Sequence, residues 1–213
     1  ECASGPAVVR LLVDAELRDS ISRNVTAVLP AAEGDTPGRF VIVGAHLDSV
    51  DTPGANDNGS GIAALLETAR VAAGLSLPLE VRFMAFGAEE IGLDGSRAAA
   101  AALSAEATRC AGMINLDTIG MGDTLMIYTT PGSSFRFAGA VAETAERLRI
   151  PFETGSSTAS DHSSFARLGI PSVFLMREPT NLYHTDMDTI ETVDPAALEQ
   201  AVRLTIEILM GMK

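Results

Sequence analysis

The sequence has few basic residues, no long hydrophobic run and only two cysteines. Lysine and arginine total 15 against 28 aspartates and glutamates, a formal net charge of −13. Phosphate contacts require clustered basic side chains, so this balance argues against nucleic acid and anionic membrane surfaces as partners. No apolar run approaches the roughly 20 residues of a membrane-spanning helix, and no charged-then-apolar leader opens the chain, so we expect no membrane span.

The two cysteines, Cys2 and Cys110, do not form a CxxC pair. A thiolate zinc site or a thiol redox motif is therefore not expected. The pair is compatible with one disulfide in an oxidising compartment and equally with two buried thiols. The sequence leaves both alternatives open.

What the sequence does contain is an alternation of apolar, β-branched runs with alanine-rich segments, in a chain of 213 residues that is 46% hydrophobic. That length predicts one core and one domain, residues 1–213. The alternation predicts strands at 7–13, 24–29, 39–45, 79–86, 111–117, 123–129 and 171–176, and helices at 59–73, 95–104, 133–148, 161–168 and 195–210.

Several predicted strands, such as FVIVGA and PSVFLM, are apolar throughout. This pattern is typical of a sheet that is covered on both faces by helices. We therefore predict an α/β fold, a three-layer α/β/α sandwich with a mixed, mostly parallel central sheet. Residues 7–13 and 24–29 are expected to form a hairpin within it.

Polar residues follow these strands where each one ends. In such sheets ligands collect beyond the carboxyl ends of the strands. The segments concerned read AHLDS, GAEE, NLDTIG and NLYHTDMDT, with GANDNGSG before the first long helix. Together they direct six polar residues towards one edge of the sheet: His46, Asp57, Glu89, Glu90, Asp117 and His184.

This set of side chains indicates a metal site. Carboxylates packed together raise each other's pKa and lose their charge unless a divalent cation lies among them. Two imidazoles and several carboxylates without sulfur suit zinc in a hydrolytic site. The donors exceed what one tetrahedral ion requires, which predicts a second metal roughly 3.5–4 Å from the first. Of Glu89 and Glu90, one can bind metal while the other stays free as a general base.

Each residue also has a simpler interpretation. An isolated His46 or His184 is typical of a structural or surface histidine, and NDNGSG is typical of a turn and helix cap. Glu89 and Glu90 are also compatible with solvated loop acids. The combination in one order along the chain favours the metal site over these alternatives.

Five segments resemble the zinc aminopeptidases and related co-catalytic di-zinc exopeptidases of the M28 type. They are VIVGAHLDSVDTPGANDNGSGIAALLETAR, VRFMAFGAEEIGLDGS, MINLDTIG, SDHSSFARLGIPSVFLM and YHTDMDT, in the family's order over roughly residues 20 to 211. The resemblance implies a zinc-peptidase fold, two Zn²⁺ ions and peptide substrates with a free N-terminus. It also implies a secreted or extracytoplasmic protein, for which we expect a monomer.

The resemblance further implies which residues hold the two ions. His46 and Asp117 would bind one zinc, Glu90 and His184 would bind the other, and Asp57 would bridge them.

It also implies the roles of residues that do not bind metal. Glu89 would be the general base, and Tyr183 would donate a hydrogen bond to the oxyanion of the reacting carbonyl. Asp48 would orient the imidazole of His46 as an outer partner, and Asp188 is expected to play a similar supporting role.

Three further expectations come from the same resemblance. Asp161 and His162 would lie near the substrate pocket, and the peptide bond between Asp57 and Asn58 would be cis. Many members carry an upstream helical segment or an inserted protease-associated domain. This chain, beginning ECASGPAVVRLL, is expected to lack them.

Two other functions stay open at this point. A glutaminyl-cyclase-like zinc acyltransferase shares much of this ligand set, and a non-catalytic, receptor-like relative is a third alternative.

Overall fold

The computed structural model describes residues 8–16, 19–32, 38–133 and 135–212. Within these ranges seven strands form one sheet: β1 (Val25–Leu29), β2 (Phe40–His46), β3 (Glu80–Phe86), β4 (Cys110–Leu116), β5 (Thr124–Thr129), β6 (Phe152–Ser156) and β7 (Ser172–Glu178).

Helices connect most of these strands. The α-helices of the described ranges are α1 (Gly61–Ala72), α2 (Asp94–Leu103), α3 (Phe135–Arg147), α4 (His162–Ala166) and α5 (Pro195–Gly211). Short 3₁₀ helices occupy Ser104–Arg109 and Ile190–Thr192, and an irregular turn, Ala55–Ser60, leads into α1.

The strands lie in the order β1-β3-β2-β4-β7-β5-β6. β1 is antiparallel to β3, and β5 is antiparallel to β7, whereas the other four neighbouring pairs are parallel. The predicted mixed, mostly parallel sheet is therefore confirmed. Because β2, β3, β4 and β7 all run parallel, their carboxyl ends lie at the same edge of the sheet.

Successive side chains of a strand point to opposite faces, and β2 shows the result. Val41, Val43 and Ala45 belong to one buried apolar cluster, while Phe40 and Ile42 belong to a second. Helices α1, α3 and α5 pack together over the first cluster, and α2 and α4 pack over the second. Both faces of the sheet are covered, which explains the uninterrupted apolar runs and confirms the three-layer sandwich.

The predicted N-terminal hairpin is not formed. Residue 7 lies outside the described residues, and residues 8–14 have no regular structure. β1 pairs with β3 instead. Val8 is 97% exposed and Leu12 is 84% exposed. Apolar residues therefore did not form a strand here, because no described segment pairs with them or buries them.

The sequence pattern also missed β6. Its residues, FETGS, show no apolar alternation, and most of them are exposed. The strand exists because Phe152 to Ser156 pair in parallel with β5 at the end of the sheet.

Cys110 is a buried free thiol in the second cluster, whereas Cys2 lies outside the described residues.

Candidate metal centre

The carboxyl-terminal edge of the sheet brings the predicted ligands together. Nε2 of His46, at the end of β2, lies 3.2 Å from Oδ1 of Asp57 and 3.3 Å from Oδ1 of Asp117. Asp57 comes from the turn before α1, and Asp117 directly follows β4. All three residues are buried, and their donor atoms are close enough to share one metal ion.

A second group of donors adjoins the first. Nε2 of His184, in the loop after β7, lies 3.1 Å from Oδ2 of Asp57 and 3.0 Å from Oε2 of Glu90. These three donors also lie within reach of one ion. Asp57 therefore presents one carboxylate oxygen to each imidazole, an arrangement that suits a bridging ligand.

The hydrogen bonding of His46 tests whether a cation fits. Its Nδ1 lies 3.0 Å from the carbonyl oxygen of Asp48. A carbonyl oxygen only accepts, so Nδ1 carries a proton, and in the neutral form of the ring, the form that binds a metal, the lone pair is at Nε2. That lone pair faces oxygens of Asp57 and Asp117, which also carry lone pairs. A metal ion among the three satisfies them all.

The electrostatics of the site agree with this fit. Burial by itself lowers the pKa of His46, but the carboxylates of Asp117, Asp48 and Asp57 together raise it above its ordinary value. Burial and the neighbouring Asp57 raise the pKa of Glu90. Glu90 Oε1 is buried and has no hydrogen-bond partner among the described residues. Divalent cations would relieve these unfavourable buried charges.

Glu89 lies beside these two groups and forms a third group of donor atoms with His46 and Glu90. Burial raises the pKa of Glu89 to about 8, the positive charge of His46 opposes this shift, and Asp117, Asp161 and Glu90 add to it. The carboxylate lines the same pocket as the candidate ligands. A buried carboxylate with a raised proton affinity, next to a metal site, is suited to accept and return a proton.

Asp48 has a different set of contacts from the one predicted. Its carboxylate oxygen is 3.8 Å from Nδ1 of His46, and the ring is held by the Asp48 backbone carbonyl instead. The carboxylate accepts hydrogen bonds from the backbone N–H groups of Glu89, at 3.1 Å, and Glu90, at 3.2 Å. Asp48 therefore fixes the turn that carries the glutamate pair, and its main chain orients the imidazole.

Asp188 supports the opposite side of the centre. Its side chain is 0% exposed. Oδ1 accepts from the backbone N–H of Asn56 at 2.7 Å, and Oδ2 accepts from that of Asp57 at 2.9 Å. Asp188 thus ties the loop of His184 to the turn of Asp57. The peptide bond between Asp57 and Asn58 is cis, as predicted.

Asp188→Asn is expected to lower the free energy of unfolding by about 1–3 kcal/mol, because the new amide group faces a buried N–H that then lacks an acceptor. Metal affinity should fall about 10–100-fold, as for other outer partners of ligands. Urea unfolding with chelator present and a competition titration with a chromophoric chelator measure the two effects. Asp186→Asn, at an exposed position of the same loop, is the control. Equal behaviour of the two variants would contradict this role.

Sequence reasoning missed a buried partner of Asp117, Ser160, and the residue that bonds to Ser160 in turn, Asn115. Ser160 Oγ donates to Oδ2 of Asp117 at 2.6 Å, and Asn115 Nδ2 donates to Ser160 Oγ at 2.7 Å. Asn115 precedes Asp117 by two residues and so shares its face of the chain, a periodicity that would have identified it. Ser160 is distant in sequence, and only its place beside Asp161 in SDHSSF gave a signal.

The structure places Asp161 and His162 beneath the surface of the pocket. Both are fully buried, and burial raises the pKa of Asp161 to about 7 and lowers that of His162 to about 4. His162 Nε2 lies 3.0 Å from the carbonyl oxygen of Ser157, and its ring stacks on Phe174 at 5.4 Å between centroids. Ser157 and Phe174 line the pocket, so His162 supports its wall and does not form its surface.

The pocket itself is a cavity of about 580 Å³ that contains the candidate ligands and Glu89. Tyr183 is 42% exposed at its mouth, and its ring meets the edge of His184 at 5.0 Å. The rest of the lining is largely apolar and includes Leu93, Tyr128, Phe174 and Met176.

Comparison with known proteins gives concordant matches. The profile of peptidase family M28 matches residues 24–209. Aminopeptidase YwaD of Bacillus subtilis (strain 168) is 40% identical over 177 residues, which cover 76% of this chain and 38% of that protein.

Two solved structures are similar to this chain in both fold and sequence. The aminopeptidase from Aneurinibacillus sp. strain AM-1 superposes with a TM-score of 0.82 at 37% identity, covering 89% of this chain and 48% of that one. BSAP, a zinc aminopeptidase from Bacillus subtilis, gives a TM-score of 0.77 at 34% identity, covering 87% and 48%. The chain thus spans half or less of the length of these three relatives. Among its described helices, none has the length and apolarity that crossing a bilayer requires.

Proposed function

The chain belongs to peptidase family M28, and from this premise we propose that it is a zinc-dependent aminopeptidase, a metallo-exopeptidase that removes N-terminal residues from peptides. One observation carries the proposal. The carboxylate of Asp57 lies between the imidazoles of His46 and His184, at 3.2 and 3.1 Å, with further carboxylates beside each ring. This donor set has the composition of a hydrolytic zinc site.

We propose that the site holds two Zn²⁺ ions. His46 and Asp117 hold one, Glu90 and His184 hold the other, and Asp57 bridges them. Zinc bound there supplies Lewis acidity, which polarises the scissile carbonyl and lowers the pKa of the attacking water.

The chain's own residues then move the proton. Glu89 accepts a proton from the attacking water as its oxygen bonds to the carbonyl carbon, and returns it to the amine nitrogen as the carbon–nitrogen bond breaks. Tyr183 lines the pocket. Its hydroxyl group donates a hydrogen bond to the carbonyl oxygen as negative charge develops there. The turn held by Asp48 keeps Glu89 in place for both transfers.

The choice of substrate end is supported by the matched relatives, which are named aminopeptidases. The carboxylates of Asp57, Glu89, Glu90 and Asp117 line the cavity, and two Zn²⁺ ions would balance their four charges. The charge of the ligand set therefore does not by itself select an amine over a carboxylate.

Hydrolysis of aminoacyl p-nitroanilides tests the function. We expect turnover that a chelator abolishes and added zinc restores, and no cleavage of the same substrates after N-acetylation. Anomalous scattering at the zinc edge should give two peaks. Formation of pyroglutamate from glutaminyl peptides without anilide hydrolysis would instead indicate an acyltransferase. Zinc binding with neither reaction would indicate a receptor-like relative.

We further propose a monomer that acts outside the cytoplasm. The family resemblance and the acidic composition support this location. Fractionation of the source cells and light scattering of the purified protein test the two statements separately.

A further inference from the structure

The apolar part of the pocket lining adjoins a polar pair, Tyr128 and Glu178, whose role is not explained by hydrolysis. In the sheet, Tyr128 on β5 lies opposite Phe174 on β7, and their rings pack at 5.5 Å between centroids. The hydroxyl of Tyr128 donates a hydrogen bond of 2.8 Å to Oε1 of Glu178. Tyr128 lines the pocket, so the Glu178 carboxylate lies one hydrogen bond beyond the pocket wall.

The position of the Tyr128 ring is set by its neighbour on β6. Tyr128 is paired with Gly155, and a Cβ atom at Gly155 would lie only 2.7 Å from Cε1 of the tyrosine. The absence of a side chain at Gly155 leaves room for this edge of the tyrosine ring.

The charge of Glu178 is not neutralised by its surroundings. Among the described residues, no lysine or arginine nitrogen lies within 4 Å of its carboxylate, and the adjacent Arg177 bonds instead to the carbonyl of Gly122 and to Gln200. Tyr128 occupies only Oε1. Burial, with Glu178 and Glu153 nearby, raises the pKa of Tyr128 to about 12, so the phenol stays a donor at neutral pH.

The strand register relates the position of this carboxylate to that of the metal group. The backbone N–H of Asp117 bonds to the carbonyl of Leu175, which places Asp117 beside Met176 on β7. Glu178 follows Met176 by two residues, roughly 7 Å farther along the strand. Met176 and Phe174 form an apolar surface on the pocket wall.

We propose that Glu178, held by Tyr128, recognises the cationic tip of a lysine or arginine at the N-terminus of the substrate. The inference rests on the proposed aminopeptidase function, and it assigns the side chain of the first residue to the apolar surface formed by Met176 and Phe174. The aliphatic stem packs against Met176 and Phe174, while the charged tip meets the free oxygen of Glu178. The substrate class is therefore peptides that begin with a basic residue.

Rates on matched substrates test the inference. The zinc-loaded full chain is assayed on arginyl, lysyl, methionyl and leucyl p-nitroanilides, with kcat and KM determined separately. We expect kcat/KM to be higher for the basic substrates than for methionyl, whose stem is similar but uncharged. Glu178→Gln should reduce kcat/KM for the arginyl and lysyl substrates about 10-fold or more, mostly through KM, and leave the methionyl value within about 2-fold.

Two further variants distinguish a specific contact with Glu178 from a general effect of negative charge near the pocket. Tyr128→Phe should lower the preference for basic residues in the same direction, because Glu178 loses the donor that orients it. Glu153→Gln removes an exposed carboxylate of the neighbouring strand and should leave the preference unchanged. Circular dichroism of each variant confirms that it folds.

A binding measurement separates failure of this inference from failure of the proposed function. Arginine amide and norleucine amide are titrated by calorimetry into zinc-loaded protein with and without Glu178→Gln. Tighter binding of arginine amide that is lost in Glu178→Gln supports the inference whatever the turnover. A preference for neutral residues, or equal losses on basic and neutral compounds, would overturn it and leave aminopeptidase activity standing. Absence of all hydrolysis counts against the proposed function instead.

Discussion

Glu89→Gln is expected to keep its zinc and to reduce kcat by about 10²- to 10⁴-fold, the contribution typical of a general acid–base group. Glutamine has nearly the shape of glutamate but does not accept a proton at neutral pH. Burial raises the pKa of Glu89 to about 8, and a pKa near neutral pH suits a group that accepts and then returns a proton. The variant therefore removes the proton transfer and leaves the candidate ligands in place.

The measurement needs kinetics and metal analysis on the same preparation. Zinc per chain by mass spectrometry should match the unmodified protein, and KM should change little because Glu89 is not assigned to ground-state binding. Glu143→Gln, an exposed residue of α3, is the matched control. If Glu89→Gln retains most of its turnover, the base is another residue and the mechanism proposed above is wrong.

Asp57→Asn is expected to lose zinc from both positions and, with it, detectable hydrolysis. The two oxygens of Asp57 lie 3.2 and 3.1 Å from the two imidazoles, so a single side chain contributes to both groups of donors. Asparagine keeps one neutral oxygen and turns an amide, which cannot bind a cation, towards the other imidazole.

Zinc per chain and anilide hydrolysis, measured after dialysis against a weak chelator, check this expectation. Asp51→Asn changes an exposed aspartate near the same turn and should retain full zinc content. Stability against urea should be compared without metal, so that a folding defect is distinguished from loss of a ligand. A variant that still binds two zinc ions would show that Asp57 does not bridge them.

Much of the fold was accessible from the sequence because its signals are local. Fully apolar strands such as β2 predicted a sheet covered on both faces. In the structure, Val41 and Val43 are buried in one apolar cluster, and Phe40 and Ile42 are buried in the cluster on the other face. β6 was not accessible, since its short polar sequence becomes a strand only by pairing with β5. Residues 8–14 show the converse, because apolar content without a partner leaves no strand.

The sequence by itself determined which residues would meet. Parallel strands end at one edge of a sheet, so polar residues at the ends of β2, β3 and β4, with those of the adjoining turns, had to converge there. This explains why His46, Asp57, Glu90, Asp117 and His184 were all identified in advance, and why they lie together.

Only the tertiary structure decided how those residues are held. Three long-range contacts show this: the carboxylate of Asp48 accepts from the backbone of Glu89, Ser160 donates to Asp117, and Tyr128 donates to Glu178. Such contacts depend on distances of a few ångströms between segments far apart in the chain. Sequence spacing fixes the direction of a side chain on its own strand, but it does not fix what that side chain touches on another.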